Sequence, residues 1–319
     1  MKFNKQSKPI PQLLKTFIFC VCLSTLSLLQ AGDTTNWVSD NNGSWFDDNN
    51  WVEGFVPSDG IDVAFGIVNP NNNRDQVDID NAGNGVILPN SEIRFERKIT
   101  FSDASANGDP LLADDGLAFQ NMRINGAGGA AVVFNVPVTA DTVSSNRHGG
   151  IFNREINIKN ILAVSQHQDR WQINASAIAP ISYLLIDESR GPDGDTLDGA
   201  FRVNSDLEFN RLEHVWGRMR IAESIFVEVA TYLYTDHTKQ LENNNINPIF
   251  INASAILRVA DFIIYDKEND VITRQEKGSY GSLDNEDVDF QVDFIIGEGQ
   301  LIVHDDDVLF ADGFDTPQI

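Results

Sequence analysis

An all-β chain wound as a right-handed parallel β-helix, a β-solenoid, is the architecture this sequence predicts. Three observations carry it. Short runs of β-branched and aromatic residues recur along most of the chain, broken by Gly, Asn and Asp. One hexapeptide appears twice, letter for letter, with apolar positions matched well beyond it. No stretch shows sustained helical periodicity with a cap at each end. A β-sandwich with similar hairpins is the alternative.

The first 31 residues read as a bacterial-type secretory signal. Lys2, Lys5, Lys8 and Lys15 form a cationic start, and residues 17–29 form an apolar run too short to span a bilayer comfortably. Gln30-Ala31-Gly32 supplies small residues for cleavage, most simply after Ala31. Both cysteines, Cys20 and Cys22, lie in this leader, so the mature chain has no thiol for a disulfide or a metal. An exported protein without staples needs a large core and regular backbone pairing. Outside the cell, or on the outer surface of a Gram-negative bacterium, is the expected location.

The whole chain has 23 Lys+Arg against 47 Asp+Glu, a net charge of -24, which argues against nucleic acid as a partner. With 42% hydrophobic residues it is no disordered polymer, and with 22% charged residues it is no integral membrane protein. Removal of the leader leaves no transmembrane segment in the expected chain.

Expected strands follow in order: residues 132–138, 156–164, 183–186, 201–203, 226–229, 262–265 and 290–296. Alternation in INIKN and DVDFQVDF is the period-two sign of one buried face. Residues 222–234 (AESIFVEVATYLY) are too rich in β-branched and aromatic side chains for a helix and also read as strand.

The repeat sets the architecture. Ile173-Asn174-Ala175-Ser176-Ala177-Ile178 recurs as Ile251-Asn252-Ala253-Ser254-Ala255-Ile256, 78 positions later. Ile181, Leu184, Leu185 and Ile186 after the first match Val259, Phe262, Ile263 and Ile264 after the second. Weaker relatives begin at Phe201 and Ile151. The starts 173, 203 and 251 differ by 30 and 48, the latter read as two steps of 24 with Val227 near the missing middle. Coils of 20–30 residues that bury their inward side chains only by stacking are what a solenoid needs. Ala175 and Ala177 suit crowded interior corners. Asn174 and Asn252 suit a turn at which amides bond to one another along the axis.

Residues 37–65 place Trp37, Trp45 and Trp51 within 15 positions, in the pattern Gly43-Ser44-Trp45, Asn50-Trp51, Gly54, Pro57 and Asp62-Val63-Ala64-Phe65. This pattern resembles the N-terminal segment of secreted bacterial β-helix surface proteins, the autotransporter-associated β-strand repeat family. Segments 217–221, 253–259 and 297–303 resemble that family's small-x-Leu-x-Val rungs. The glycine-rich repeats are degenerate and no autotransporter barrel follows, so self-translocation is not implied. An open solenoid end exposes unpaired backbone and apolar core, and the three indoles are expected to cap it. Trp37, Trp45 and Trp51 as a sugar-stacking platform is the competing use. At the other end, residues 308–315 (VLFADGFD) resemble an "IFADGFE"-type ending of secreted gammaproteobacterial proteins, a candidate address or processing signal. The expected organisation is therefore signal 1–31, cap and first rungs 32–95, solenoid 96–307 and tail 308–319.

Catalytic signatures are lacking. His148, His167, His214, His237 and His304 show no metal spacing, and no nucleophile elbow or P-loop occurs. A lyase or glycosidase on the same scaffold would draw on Arg211, Arg218 and Arg220, with His214 and Trp216 among them. Residues 187–199 pack hard oxygens around tight turns. They make Asp193, Asp195 and Asp198 candidate Ca2+ ligands, although the EF-hand register is absent. From 278 to 319 there are 11 acids and no Lys or Arg, a run that divalent ions or high ionic strength would help to fold. Apart from Ca2+ no cofactor is expected. The favoured reading is a secreted or surface-displayed structural and adhesive β-helix without catalysis, presenting a face to a glycan or a surface protein. A β-helix carbohydrate-active enzyme and a tryptophan-based carbohydrate-binding module are the alternatives.

Overall fold

A computed structural model describes residues 34–38, 43–66, 75–79, 85–102, 116–125, 132–146, 149–165, 171–188, 200–236, 248–266 and 270–304. The leader 1–31, the tail 308–319, Asp193, Asp195, Asp198, His148, His167 and His237 lie outside these residues.

The described chain is a parallel β-solenoid, with one three-residue 3-10 turn at Asp48–Asn50 and otherwise strands and turns. Each coil contributes one strand to each of two sheets. The ten-stranded sheet runs from Gly43–Ser44 through Val132–Phe134, Gly150–Phe152, Trp171–Ile173, Ala200–Val203, Arg218–Ile221 and Ile249–Ile251 to Ile295–Ile296. The fifteen-stranded sheet holds the longer partners, among them Ile156–Ser165, Ile181–Glu188, Leu207–Trp216 and Phe226–Asp236. Strands two apart in sequence are neighbours in space, because each coil must travel once around before it meets the previous one.

Alternation decides which side chains enter the core. In Leu207–Trp216, Leu207, Phe209, Leu212 and His214 point inward, while Asn210 and Arg211 are consecutive outward residues. That doubled outward step bends each long strand into two inward-facing halves. The inward positions form columns along the axis. One column of the short sheet reads Phe101, Phe134, Phe152, Ile173, Val203, Ile221 and Ile251. Its Phe101, Phe134 and Phe152 rings stack 5.8 and 4.8 Å apart. Trp171 and Phe201 occupy the adjacent column and stack at 6.0 Å.

Both hexapeptides sit in this lattice. Ile173 and Ile251 are three coils apart in one column, with Val203 and Ile221 between them. Beyond them Ile181 aligns with Val259, Leu184 with Phe262, Leu185 with Ile263 and Ile186 with Ile264, all through the intervening coils. The missing middle is Ile221, not Val227. Val227 belongs to the long sheet, paired with Leu207 and Leu257. The coil spacing is thus 30, 18 and 30 residues between 173 and 251.

The asparagine ladder is present at the turn that follows each short strand. Asn153 Nδ2 donates to Asn135 Oδ1 at 2.8 Å, Asn174 to Asn153 at 2.6 Å and Asn204 to Asn174 at 2.6 Å. Asn252 stands in the same turn but outside the ladder, because Ala222 occupies the coil between it and Asn204. The two copies of the hexapeptide also diverge. Ala255 is buried and leads straight into Ile256–Val259. Ala177 makes only an isolated bridge to Ile156, and Ile178 is 66% exposed.

Three expected strands are redrawn. Residues 132–138 divide at Asn135, Val136 and Pro137, because proline and the turn asparagine change sheets there. Residues 222–225 form a turn with Ser224 at φ 60, and the strand begins at Phe226. Residues 290–296 are two short strands, Phe290–Gln291 and Ile295–Ile296, in different sheets.

Both ends are covered. At the N-terminal end Trp37, Trp45 and Trp51 are 0, 1 and 2% exposed and meet edge to face, Trp37–Trp51 at 5.0 Å and Trp45–Trp51 at 4.7 Å, over Phe65. Trp51 Nε1 donates to Trp45 O at 2.8 Å. The spacing of the motif follows from this packing. Asp47 accepts from Asn49 N to cap the 3-10 turn, and Asn50 Nδ2 donates to Ser44 O at 2.8 Å. A Cβ on Gly43 would stand 2.7 Å from that amide. At the opposite end Gly278–Gly281 pairs antiparallel with Gln300–Val303 and closes the edge of the last coil. Tyr280 and Phe294 pack on Phe262 at 5.5 and 6.0 Å.

Candidate functional site

The outward face of the long sheet gathers four of the chain's five tyrosines: Tyr183, Tyr232, Tyr234 and Tyr265. Parallel register is the reason. Tyr183, Arg211 and Tyr232 occupy one outward row on successive coils, and Leu185, Glu213 and Tyr234 occupy the next. The Arg211 guanidinium lies 4.1 Å from the Tyr183 ring centroid and 5.9 Å from that of Tyr232, between the two rings. Glu213 receives both hydroxyls. Tyr183 Oη donates to Oε2 at 2.8 Å and Tyr232 Oη to Oε1 at 3.0 Å. Burial, then the Glu213 charge, pushes the Tyr232 hydroxyl up to about 12. Tyr234 is pushed upward too, by burial and then by Asp236, and stacks on Tyr265 at 6.4 Å. These hydroxyls stay protonated donors at physiological pH. Sequence reasoning missed the cluster, because Tyr183, Arg211 and Tyr232 are spread over 50 positions and only coil register unites them.

The arginine-histidine stretch at 211–220 does not converge. His214 points into the core, Arg211 faces outward from the long sheet, and Arg218 and Arg220 face outward from the short sheet. The chain changes sheets at Gly217, whose φ of 111 suits glycine. His214 Nε2 is 2.8 Å from Gly217 O and Nδ1 is 3.3 Å from Thr235 Oγ1. An Nε2–H tautomer donates to the carbonyl and leaves Nδ1 to accept from the hydroxyl. Burial holds this imidazole down to about 4, so it is neutral and structural.

The sugar-stacking use of Trp37, Trp45 and Trp51 is corrected by their burial: no indole face is open to a ring of sugar. A charged group that the sequence did not suggest lies on the long sheet toward its C-terminal end, on the strands Phe226–Asp236 and Ile256–Val259. Glu228 is 3.7 Å from both Arg258 Nη1 and His304 Nε2. Beside the C-terminal cap, a cleft of about 890 Å³ is lined by Asp284, Glu286, Asp287, Asp293 and Glu298 together with Ser254 and Leu283. Among the described residues no three of His, Cys, Asp and Glu are grouped to hold a metal ion. Also among them, no helix is long and apolar enough to cross a membrane.

No protein-family model, no curated protein and no solved structure matches this chain.

Proposed function

We propose that the chain is a secreted or cell-surface structural and adhesive module without catalysis, a capped solenoid that presents an outer face to a glycan or a protein partner. The tyrosine-arginine face carries this reading. Tyr and Arg are residues enriched where proteins meet partners, because a tyrosine ring buries a large flat surface with little loss of rotamer freedom and a guanidinium offers a planar fork of donors. Here the rings are already fixed by Arg211 and Glu213, which lowers the entropy cost of association. The apolar and basic leader and the tryptophan pattern at 37–65 support display outside the cell. The enzymatic alternative loses support, since its arginines and His214 lie on different faces.

Cell fractionation with surface proteolysis tests the location, and adhesion of cells to immobilised protein tests the role. The expected result is protein accessible to protease on intact cells or free in the medium, and adhesion reduced at least fivefold by Tyr183→Ala/Tyr232→Ala with the fold intact. Protein found only in the cytoplasm, or adhesion unchanged in the variant, overturns the proposal.

A further inference from the structure

The C-terminal cap closes one half of the long sheet, and the other half ends on a strand with one open edge. Val271–Arg274 turns back antiparallel on Phe262–Asp266 and, among the described residues, pairs with no other strand. Its four residues make it longer than the other strands at sheet ends, Thr34–Asn36, Gly43–Ser44, Phe290–Gln291 and Ile295–Ile296, which have two or three. All four are exposed, Val271 by 47% and Ile272 by 52%, and nowhere else among the described residues do two large exposed hydrophobics adjoin. β-branched residues on such an edge are a template for another strand, which proteins commonly block with Pro, Lys or a bulge. This strand has no Pro and no Lys, and its register is unbroken.

The hydrogen-bond pattern fixes which backbone groups face the open edge. Gln275 N donates to Phe262 O at 2.8 Å, and antiparallel pairs alternate between bonded and non-bonded. Val271 and Thr273 therefore direct N–H and C=O toward Phe262–Asp266, while Ile272 and Arg274 direct theirs away from it.

We infer that this edge pairs with the same edge of a second copy of the chain, antiparallel about a two-fold axis through Ile272. Only registers that oppose outward-directed residues can form bonds, and two of these overlap most of the strand. Centred on Thr273, the pairing sets Asp270 against the partner's Glu276, and like charges directly opposite repel. Centred on Ile272, it sets Ile272 against its own copy and Asp270 against the partner's Arg274, twice over. Here charge selects register and not affinity. Arg274 Nη2 keeps its 2.7 Å ion pair with Asp261, and Asp270 keeps the Tyr265 hydroxyl. Affinity comes from the new backbone bonds and from covering Ile272. The same patch serves both copies, so the assembly closes at two. Ile272 stands opposite Tyr265, so the pairing joins two tyrosine faces into one. The pairing itself does not depend on what that face binds.

The test is sedimentation equilibrium of the chain from Gly32 onward, over about 1 to 200 µM, since a short ladder makes a small and therefore weak interface. A monomer–dimer equilibrium is expected. Ile272→Lys opposes two ammonium groups across the axis and should weaken association at least tenfold with an unchanged melting temperature. Register is read by oxidative cross-linking, because the chain from Gly32 onward has no cysteine of its own. Ile272→Cys should give a covalent dimer on a non-reducing gel, as directly opposed residues in a bonded pair lie about 5.5 Å apart, within disulfide reach. Thr273→Cys, opposite the partner's Val271, should not. A monomer at every concentration, association untouched by Ile272→Lys, assemblies larger than a dimer, or cross-linking by Thr273→Cys and not by Ile272→Cys overturns the inference.

Discussion

Ile173 and Ile251, the opening residues of the two identical hexapeptides, lie in one inward column, linked through Val203 and Ile221. Both are fully buried, and each touches solvent no more than the residues that separate them. Equal positions in a stack therefore account for the shared isoleucine that opens each segment, while the turns that follow it differ, Ser254 standing at φ 58 in the second.

The amide ladder gives the first prediction. Asn174 both donates to Asn153 and accepts from Asn204, so Asn174→Ala removes two side-chain bonds. These bonds are exposed, and water replaces much of what is lost. We expect a destabilisation of about 1 kcal/mol in urea titration. In the opposite direction, Ala222→Asn supplies the missing member between Asn204 and Asn252 and should stabilise by about 0.5 kcal/mol. A loss of stability in the second variant would show that the ladder has no energetic role across that turn.

His214 makes stability depend on pH. Its folded value of about 4 lies below the ordinary 6.5 of an imidazole, because the buried site penalises the charged ring. Between those values the unfolded chain binds a proton that the folded chain refuses. The contribution is fully present above pH 6.5 and is lost as pH falls, by about 2 kcal/mol on reaching pH 5. Asp236 moderates the shift, since its charge favours the protonated ring. His214→Met should abolish this slope, at a cost of about 1–3 kcal/mol at pH 7 for leaving Gly217 O unpaired. Chemical denaturation at pH 7, 6 and 5 decides it, and parallel slopes in both proteins would refute the assignment.

The N-terminal cap is the next test. Trp45 is 1% exposed and packs on Trp51, Phe65 and Phe119. Replacement by Ala should cost about 3–5 kcal/mol and uncover the first coils. Thermal melting and binding of a hydrophobic dye report it. An unchanged melting temperature would mean that these coils contribute nothing to the cooperative unit.

Arg211 tests the outer ladder. Arg211→Ala removes the cation between Tyr183 and Tyr232 and leaves Glu213 bonded to both hydroxyls. The loss should be about 1 kcal/mol, since the pair is partly solvated. The ionisation of Tyr232, held up by burial and by Glu213, should rise further once the neighbouring positive charge is gone. An alkaline absorbance titration measures that shift, and a downward movement would contradict the placement of Arg211.

Much of the architecture is legible in the sequence. Period-two alternation fixed which residues of INIKN enter the core, and the matched offsets after the two INASAI segments placed Leu184 with Phe262 and Ile186 with Ile264. Three closely spaced tryptophans among turn residues identified a cap. What the chain alone determined is thus local or periodic: which side of a strand is apolar and which segments repeat. Coil length, the step through Ile221, the C-terminal cap and every outward row were decided only in three dimensions. Unequal numbers of residues between successive strands of a sheet break the linear period, and a parallel coil brings residues about 20–30 positions apart to within about 5 Å. For that reason Tyr183, Arg211 and Tyr232, and likewise Arg202 and Arg220, are neighbours that no spacing rule along the sequence could unite.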